Sequence, residues 1–187
     1  LRCPEAVNTW RLRHTQEVCG LQWRDDGLLL ASGSNDNNLL LWDLRRADSA
    51  CHSMVHRAAI KAIAWCPTRR DFLASGAGTA DRRVRIWNTI TGASVASCST
   101  GAQVTGLTWA PDGTSELVAS LGFSTTAPAT PHGGFCALRW DRTGVGGLDV
   151  VARAKTHDGL PTSSGSRILN LAASPDRTRV VVTCPSE

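Results

Sequence analysis

No apolar run in this 187-residue sequence approaches the length needed to cross a membrane. Nothing from Leu1 onward reads as a signal peptide, and an opening Leu leads us to expect a processed or incomplete chain. The seven cysteines (Cys3, Cys19, Cys51, Cys66, Cys98, Cys136 and Cys184) are odd in number, widely spaced and never arranged as C-x-x-C. That pattern argues against a zinc site and a disulfide framework, so buried thiols in a reducing compartment are expected. Lysine is scarce: of the 20 basic residues only Lys61 and Lys155 are lysines, and the net charge is +4. The excess is scattered rather than gathered into a patch, which gives no reason to expect nucleic acid as a partner. No segment combines helical periodicity with caps, and no linker divides the chain.

What fills the sequence is repetition. From Val18 to Leu44 an alternating strand ends at Trp23, and an Asp25-Asp26-Gly27 turn follows. A second apolar run enters Gly33-Ser34-Asn35-Asp36-Asn37-Asn38, and a third closes on Trp42-Asp43. Short strands joined by turns rich in Gly, Asn and Asp read as a β-meander. Trp23, Trp65 and Trp109 recur 42 and 44 residues apart; Trp42 and Trp87 lie 45 apart, with Trp140 a longer 53 beyond. Leu30-Ala31-Ser32-Gly33 returns as Leu73-Ala74-Ser75-Gly76, and more loosely as Val118-Ala119-Ser120-Leu121-Gly122.

A period in the low forties with Trp-Asp at a strand end is the signature of WD-repeat propeller blades. The expected fold class is all-β: an incomplete WD40-type β-propeller, about three full four-stranded blades plus two partial ones of a seven-bladed ring. Full blades are expected near 17–55, 59–98 and 103–154, with partial ones at 1–13 and 165–187. The last unit has Ala172-Ala173 where earlier repeats have Trp. Ser124 to Gly134 reads as an inserted loop, and Asp158 to Ser166 as a second soft segment.

His14, Ser32, Asp36 and Trp42 match His56, Ser75, Asp81 and Trp87 one repeat later. Ser, His and Asp together invite a hydrolase reading, but a catalytic triad is not expected once per blade, and no G-x-S-x-G elbow occurs. WD repeats use such residues as a hydrogen-bonded tetrad that holds strands in register. Gly76-Ala77-Gly78-Thr79-Ala80-Asp81 lacks the third Gly of a dinucleotide loop and leads into a strand-like Arg83-Val84-Arg85-Ile86-Trp87. His132 reads as a loop residue, and the tryptophans as repeat-position packing. No enzyme, metal or cofactor is expected.

The repeats are specific in wording. Glu17-Val18-Cys19-Gly20-Leu21-Gln22-Trp23 with Ser34-Asn35-Asp36-Asn37, then Ala64-Trp65-Cys66-Pro67 and Gly78-Thr79-Ala80-Asp81-Arg82, resemble the fizzy and fizzy-related proteins. Trp109-Ala110-Pro111, Gly122-Phe123 and Ser166-Arg167-Ile168-Leu169-Asn170-Leu171 extend the resemblance over nearly the whole chain. It implies a non-catalytic WD-repeat activator of the anaphase-promoting complex that recruits cell-cycle proteins for ubiquitination. Implied partners are subunits of that complex, substrates carrying a Lys-Glu-Asn (KEN) box or a destruction box, and spindle-checkpoint inhibitors, with a nuclear and cytoplasmic location. By similarity, Asn35, Asn37, Thr79, Gln103 and Arg167 are the KEN receptor. The family's ligase-binding C box, its Ile-Arg tail and the acidic group expected to meet the KEN lysine have no counterpart in this sequence. The alternative is a WD-repeat interaction scaffold of another complex.

Overall fold

The computed structural model describes residues 14–46, 49–110, 115–122, 134–141, 147–155, 168–176 and 178–183. The expected partial blade at 1–13, nearly all of the Ser124–Gly134 insertion with His132, the 158–166 segment and Arg167 lie outside these described residues.

Within them the chain forms three four-stranded antiparallel meanders and one hairpin. The first sheet is β1 (Val18–Trp23), β2 (Leu29–Ser34), β3 (Asn38–Asp43) and β4 (His52–Val55), paired in that order. The second is β5 (Ile60–Trp65), β6 (Phe72–Ala77), β7 (Arg83–Asn88) and β8 (Ser94–Ser99). The third is β9 (Val104–Trp109), β10 (Glu116–Leu121), β11 (Gly134–Trp140) and β12 (Leu148–Lys155). A two-stranded sheet, β13 (Asn170–Ala173) with β14 (Val180–Thr183), follows.

Chemistry dictates where the core lies. β2 and β6 are buried at every position, which a strand achieves only when both faces of its sheet are covered. The cover is the neighbouring blade. One apolar cluster joins Leu29, Leu39, Leu41 and Met54 of the first sheet to Ile60, Ile63 and Leu73 of the second. Another joins Phe72, Val84 and Ile86 to Val104, Leu117 and Leu138 of the third. The core therefore sits in the seams between sheets. Two glycines permit the close approach: a Cβ on Gly33 would lie 2.4 Å from the Ile60 carbonyl oxygen, and one on Gly76 2.3 Å from Val104 Cγ1.

Each seam also carries a hydrogen bond from a strand-end tryptophan. Trp65 Nε1 donates to the Gln22 carbonyl and Trp109 Nε1 to the Ala64 carbonyl, both at 3.0 Å. Ala173, the last residue of β13, has no such donor to offer. Because Gly33 at the end of β2 meets Ile60 at the start of β5, consecutive inner strands begin at the same end of the assembly. That end is called the upper rim below.

Register separates the third sheet from the other two. Leu30 pairs with Trp23 and Trp42, and Leu73 with Trp65 and Trp87. The corresponding residue of β10 is Leu117, which pairs with Trp109 and Leu138. Ala119, not Ser120, thus occupies the place of Ser32 and Ser75, and Leu138, not Trp140, that of Trp42 and Trp87. The loose motif match was one residue out, and in a strand one residue exchanges the two faces. Trp140 serves the seam instead, its ring edge-on to Phe72 at 4.8 Å and to Trp109 at 6.1 Å between centroids.

A candidate peptide-binding rim

The upper rim is built on two polar networks. In the first blade His14 Nδ1 lies 3.0 Å from Asp36 Oδ2 and His14 Nε2 lies 2.9 Å from Ser32 Oγ. Trp42 Nε1 donates to the same Ser32 Oγ at 2.8 Å. The second blade repeats this: His56 is 2.7 Å from both Asp81 Oδ2 and Ser75 Oγ, and Trp87 Nε1 donates to Ser75 Oγ at 2.7 Å. A neutral Nδ1–H histidine satisfies each network in full: Trp N–H donates to Ser, Ser O–H to His Nε2, and His Nδ1–H to Asp. The spacing is that of a Ser-His-Asp triad, yet Ser32 is 3% exposed and Ser75 fully buried, each already receiving an indole N–H. A nucleophile sealed from any substrate carries no hydrolysis.

Electrostatics agree with a structural role. Burial pushes His56 down to about 4; hydrogen bonding to Asp81 opposes this, and the nearby Arg85 charge adds to it. Arg85 contacts both Asp81 and His56, so the carboxylate has a permanent counter-charge and the ring needs no proton. Burial alone would raise Asp36, but hydrogen bonds from the Asn38 and Thr15 amides and from His14 bring it down to about 2.

Above these networks lie the turns. Asn37 adopts φ +69°, left-handed backbone that asparagine tolerates better than most residues. Its N–H closes the turn on the Ser34 carbonyl at 3.2 Å, and its carbonyl accepts from the His56 amide at 3.0 Å. Arg82, at φ +54°, makes the same link to the third blade by accepting from the Thr100 amide at 2.9 Å. Arg82 is therefore the backbone counterpart of Asn37, and Thr79 stands three residues earlier in a longer turn. Asn35 and Thr79 are exposed, while Asn37 and Gln103 are half-buried.

Gln103 precedes β9. Its carbonyl accepts from the Gly122 amide at 2.8 Å, and its Oε1 lies 3.0 Å from where a Cβ on Gly122 would stand. Glycine leaves room there for the glutamine side chain to cross the rim. Asn35, Asn37, Thr79 and Gln103 thus share the upper rim of three consecutive blades; Arg167 lies outside the described residues.

Two neighbours escaped the motif reading. Glu17 Oε2 accepts from Asn35 Nδ2 at 3.2 Å, and Cys19 Sγ donates to Asn35 Oδ1 at 3.0 Å. Cys19 is exposed, unlike the buried Cys66 and Cys136, so the expectation of buried thiols fails at this position. Pairing of β1 with β2 brings residues 16 and 18 apart together, and no spacing in the sequence signals it. Among the described residues no group of three or more His, Cys, Asp or Glu could hold a metal.

An all-β chain of stacked four-stranded meanders with Trp-Ser-His-Asp networks is a WD40-type propeller, here incomplete. The β-propeller family model described as "Nucleolar protein 10-like, N-terminal domain" matches residues 2–156, and the chain belongs to that propeller class. Over 109 residues, 58% of this chain, it is 49% identical to "APC/C activator protein CDC20" of Saccharomyces cerevisiae. Along its whole length it is 35% identical to "Protein FIZZY-RELATED 2" of Arabidopsis thaliana. It covers 18% and 35% of those two proteins. A chain in the crystal structure of the mitotic checkpoint complex superposes with a TM-score of 0.76 at 37% identity, covering 91% of this chain and 47% of that one. Within the propellers, this chain belongs to the fizzy and fizzy-related family of WD-repeat proteins.

Proposed function

We propose that this chain is the degron-binding part of an activator subunit of the anaphase-promoting complex. In this reading it is a non-catalytic adaptor whose upper rim holds KEN-box peptides of cell-cycle proteins destined for ubiquitination. The observation that carries it is the shared rim: Asn35, Asn37, Thr79 and Gln103 reach one surface from three blades. Its amides offer paired donors and acceptors suited to an asparagine side chain and an extended backbone, and Arg167 supplies a guanidinium for the ligand's glutamate. The complex itself, destruction-box proteins and checkpoint inhibitors are the proposed partners, in nucleus and cytoplasm. The similarity to a protein named as an APC/C activator and to a chain of the mitotic checkpoint complex supports this assignment.

The test is a titration of a fluorescent KEN-box peptide into the full-length protein, with a scrambled peptide as control. We expect Asn37→Ala to weaken binding by about 2 kcal/mol, roughly thirtyfold, as removal of a central polar contact does. Equal binding of scrambled and KEN peptides, or no loss in Asn35→Ala, Asn37→Ala and Arg167→Ala, would reject the assignment.

A further inference from the structure

We infer that the free edge of β8 is a docking strand for an extended acidic segment of a partner protein, gripped from its two faces by Arg83 and Arg153. None of its residues belongs to the KEN set, so the inference stands apart from the rim assignment.

β8 is the outermost strand of the second sheet, and among the described residues no strand pairs with its far side. An edge strand turns unpaired N–H and C=O groups outward, and proteins blunt such edges with charge, proline or shortness. The other two outer strands follow that rule. β4 spans four residues and is covered at His52, whose Nε2 lies 3.0 Å from the Ile90 carbonyl oxygen. β12 carries Asp149, Arg153 and Lys155. β8 reads Ser-Val-Ala-Ser-Cys-Ser, six residues with no charge and no proline. An irregularity in its pairing with β7 is confined to the lower end, and residues 96–99 stay in register. Val95, Ser97 and Ser99 are exposed.

The charge around this edge is uncompensated. Arg24, Arg45, Arg69, Arg85 and Arg139 each meet a carboxylate. Arg83 and Arg153 are exposed and meet none among the described residues, resting on neutral acceptors instead. Arg83 Nη1 donates to Ser97 Oγ at 3.2 Å, and Arg153 Nη1 to the Thr100 carbonyl at 2.9 Å. The two stand on opposite sides of β8. Val84 and Ile86 face the third blade, so alternation turns Arg83 toward the first, as it does Arg85 at His56. Arg153 pairs with Cys136, fully buried in the seam, and so reaches Thr100 from the third blade. Burial first, then the Asp149 charge, raises the Cys98 thiol, and the charges of Arg153 and Arg83 both oppose the rise. One residue of the strand thus feels both guanidiniums.

A strand added to this edge alternates its side chains between the two faces of the sheet. Its backbone would satisfy the outward groups of β8, while carboxylates on its two faces would enter the forks of Arg83 and Arg153. A neutral or basic segment would leave both charges unmatched. Acidity on both faces is therefore what the site selects.

The probe is a fluorescent peptide, Val-Asp-Glu-Val-Asp-Glu-Val, titrated into the full-length protein. One control is Val-Asn-Gln-Val-Asn-Gln-Val, which lacks the charge. The other is the acidic peptide N-methylated at alternate amides, which cannot pair as a strand. We expect each control to bind wild type about tenfold more weakly than the probe. Arg83→Gln and Arg153→Gln should each weaken the probe about threefold at low salt, and the double variant about tenfold. Amide hydrogen exchange in β8 should slow when the probe is bound. The controls and the exchange measurement use wild type alone, so the inference can fail even where a variant folds poorly. It is overturned if the probe does not bind wild type, if the N-methylated peptide binds as well, or if the double variant binds undiminished. Tighter binding of a single-stranded DNA oligonucleotide than of the probe would overturn it too. A KEN-box peptide should bind the double variant as it binds wild type. If the KEN peptide fails while the probe behaves as expected, only the rim assignment falls.

Discussion

The second and third blades solve the same problem in opposite ways. In the second, His56 sits four residues before β5, Ser75 on β6 and Trp87 on β7, joined by hydrogen bonds of 2.7 Å. In the third, Thr100 stands four residues before β9, Ala119 takes the serine place and Leu138 the tryptophan place, all three fully buried. Thr100 meets its own needs by sharing its one hydroxyl proton between the Arg82 and Ala102 carbonyls, 3.0 and 2.8 Å away. The serine and tryptophan places are now apolar, and the histidine place holds a threonine whose hydroxyl bonds to backbone carbonyls alone. A buried network is stable when every partner is present or when every partner is gone; one missing member leaves the others desolvated and unpaired. The difference shows that the tetrad is one way to fill a seam and is dispensable to the blade itself.

The comparison is broken most severely at Asp81. Asp81→Ala should strip both Arg85 and His56 of their partner and destabilise the protein by about 4 kcal/mol, read from chemical denaturation. The equivalent change has no counterpart in the third blade's described residues.

Acid sharpens the contrast next. His56 stays neutral in the folded protein down to about pH 4, whereas in the unfolded chain it takes a proton near pH 6.5. The unfolded state therefore binds more protons between those values, and stability must fall as pH drops from about 6.5 to 4. The loss attributable to this one group is on the order of 3 kcal/mol. Denaturation profiles of wild type and His56→Gln at pH 7 and 4.5 check it: the variant should start lower and lose less between the two pH values. Thr100 gives the third blade no such group.

The smallest effects come from single exchanges toward the other blade's solution. Ser75→Ala orphans the Trp87 N–H and His56 Nε2 and should cost about 2 kcal/mol. Ala119→Ser places a hydroxyl in the third seam with no indole or imidazole to meet it, at about 1 kcal/mol. Combining Ser75→Ala with His56→Thr and Trp87→Leu should cost less than the three single changes added together, since no member is then left waiting for another. Full additivity in that cycle would contradict the view of the tetrad as one unit.

Much of the fold could be read from the residues because repetition multiplies a weak signal. A single Trp at a strand end means little; three at intervals of 42 and 44 mark inner strands. The first two blades share the wording Leu-Ala-Ser-Gly, so their register followed. The third did not, because Val118-Ala119-Ser120 imitates Ala31-Ser32 one position late, and only the pairing of Leu117 with Trp109 reveals the slip. At the rim, Asn35, Asn37, Thr79 and Gln103 were legible from their family wording. Glu17 was not, since its place beside Asn35 depends on how β1 pairs with β2.

The sequence by itself determined that this chain is a run of WD-type meanders, because strand period, turn chemistry and a recurring spacing are local and survive without coordinates. It also determined which residues make the buried networks, since Trp, Ser, His and Asp recur together. Only the tertiary structure decided that Ala119 and not Ser120 has the serine's place in the third blade, that Trp140 fills a seam, and that one carboxylate on the rim is left exposed beside Asn35. Those outcomes depend on cross-strand register and on which face meets a neighbouring blade. Both are fixed by packing between residues far apart in the chain.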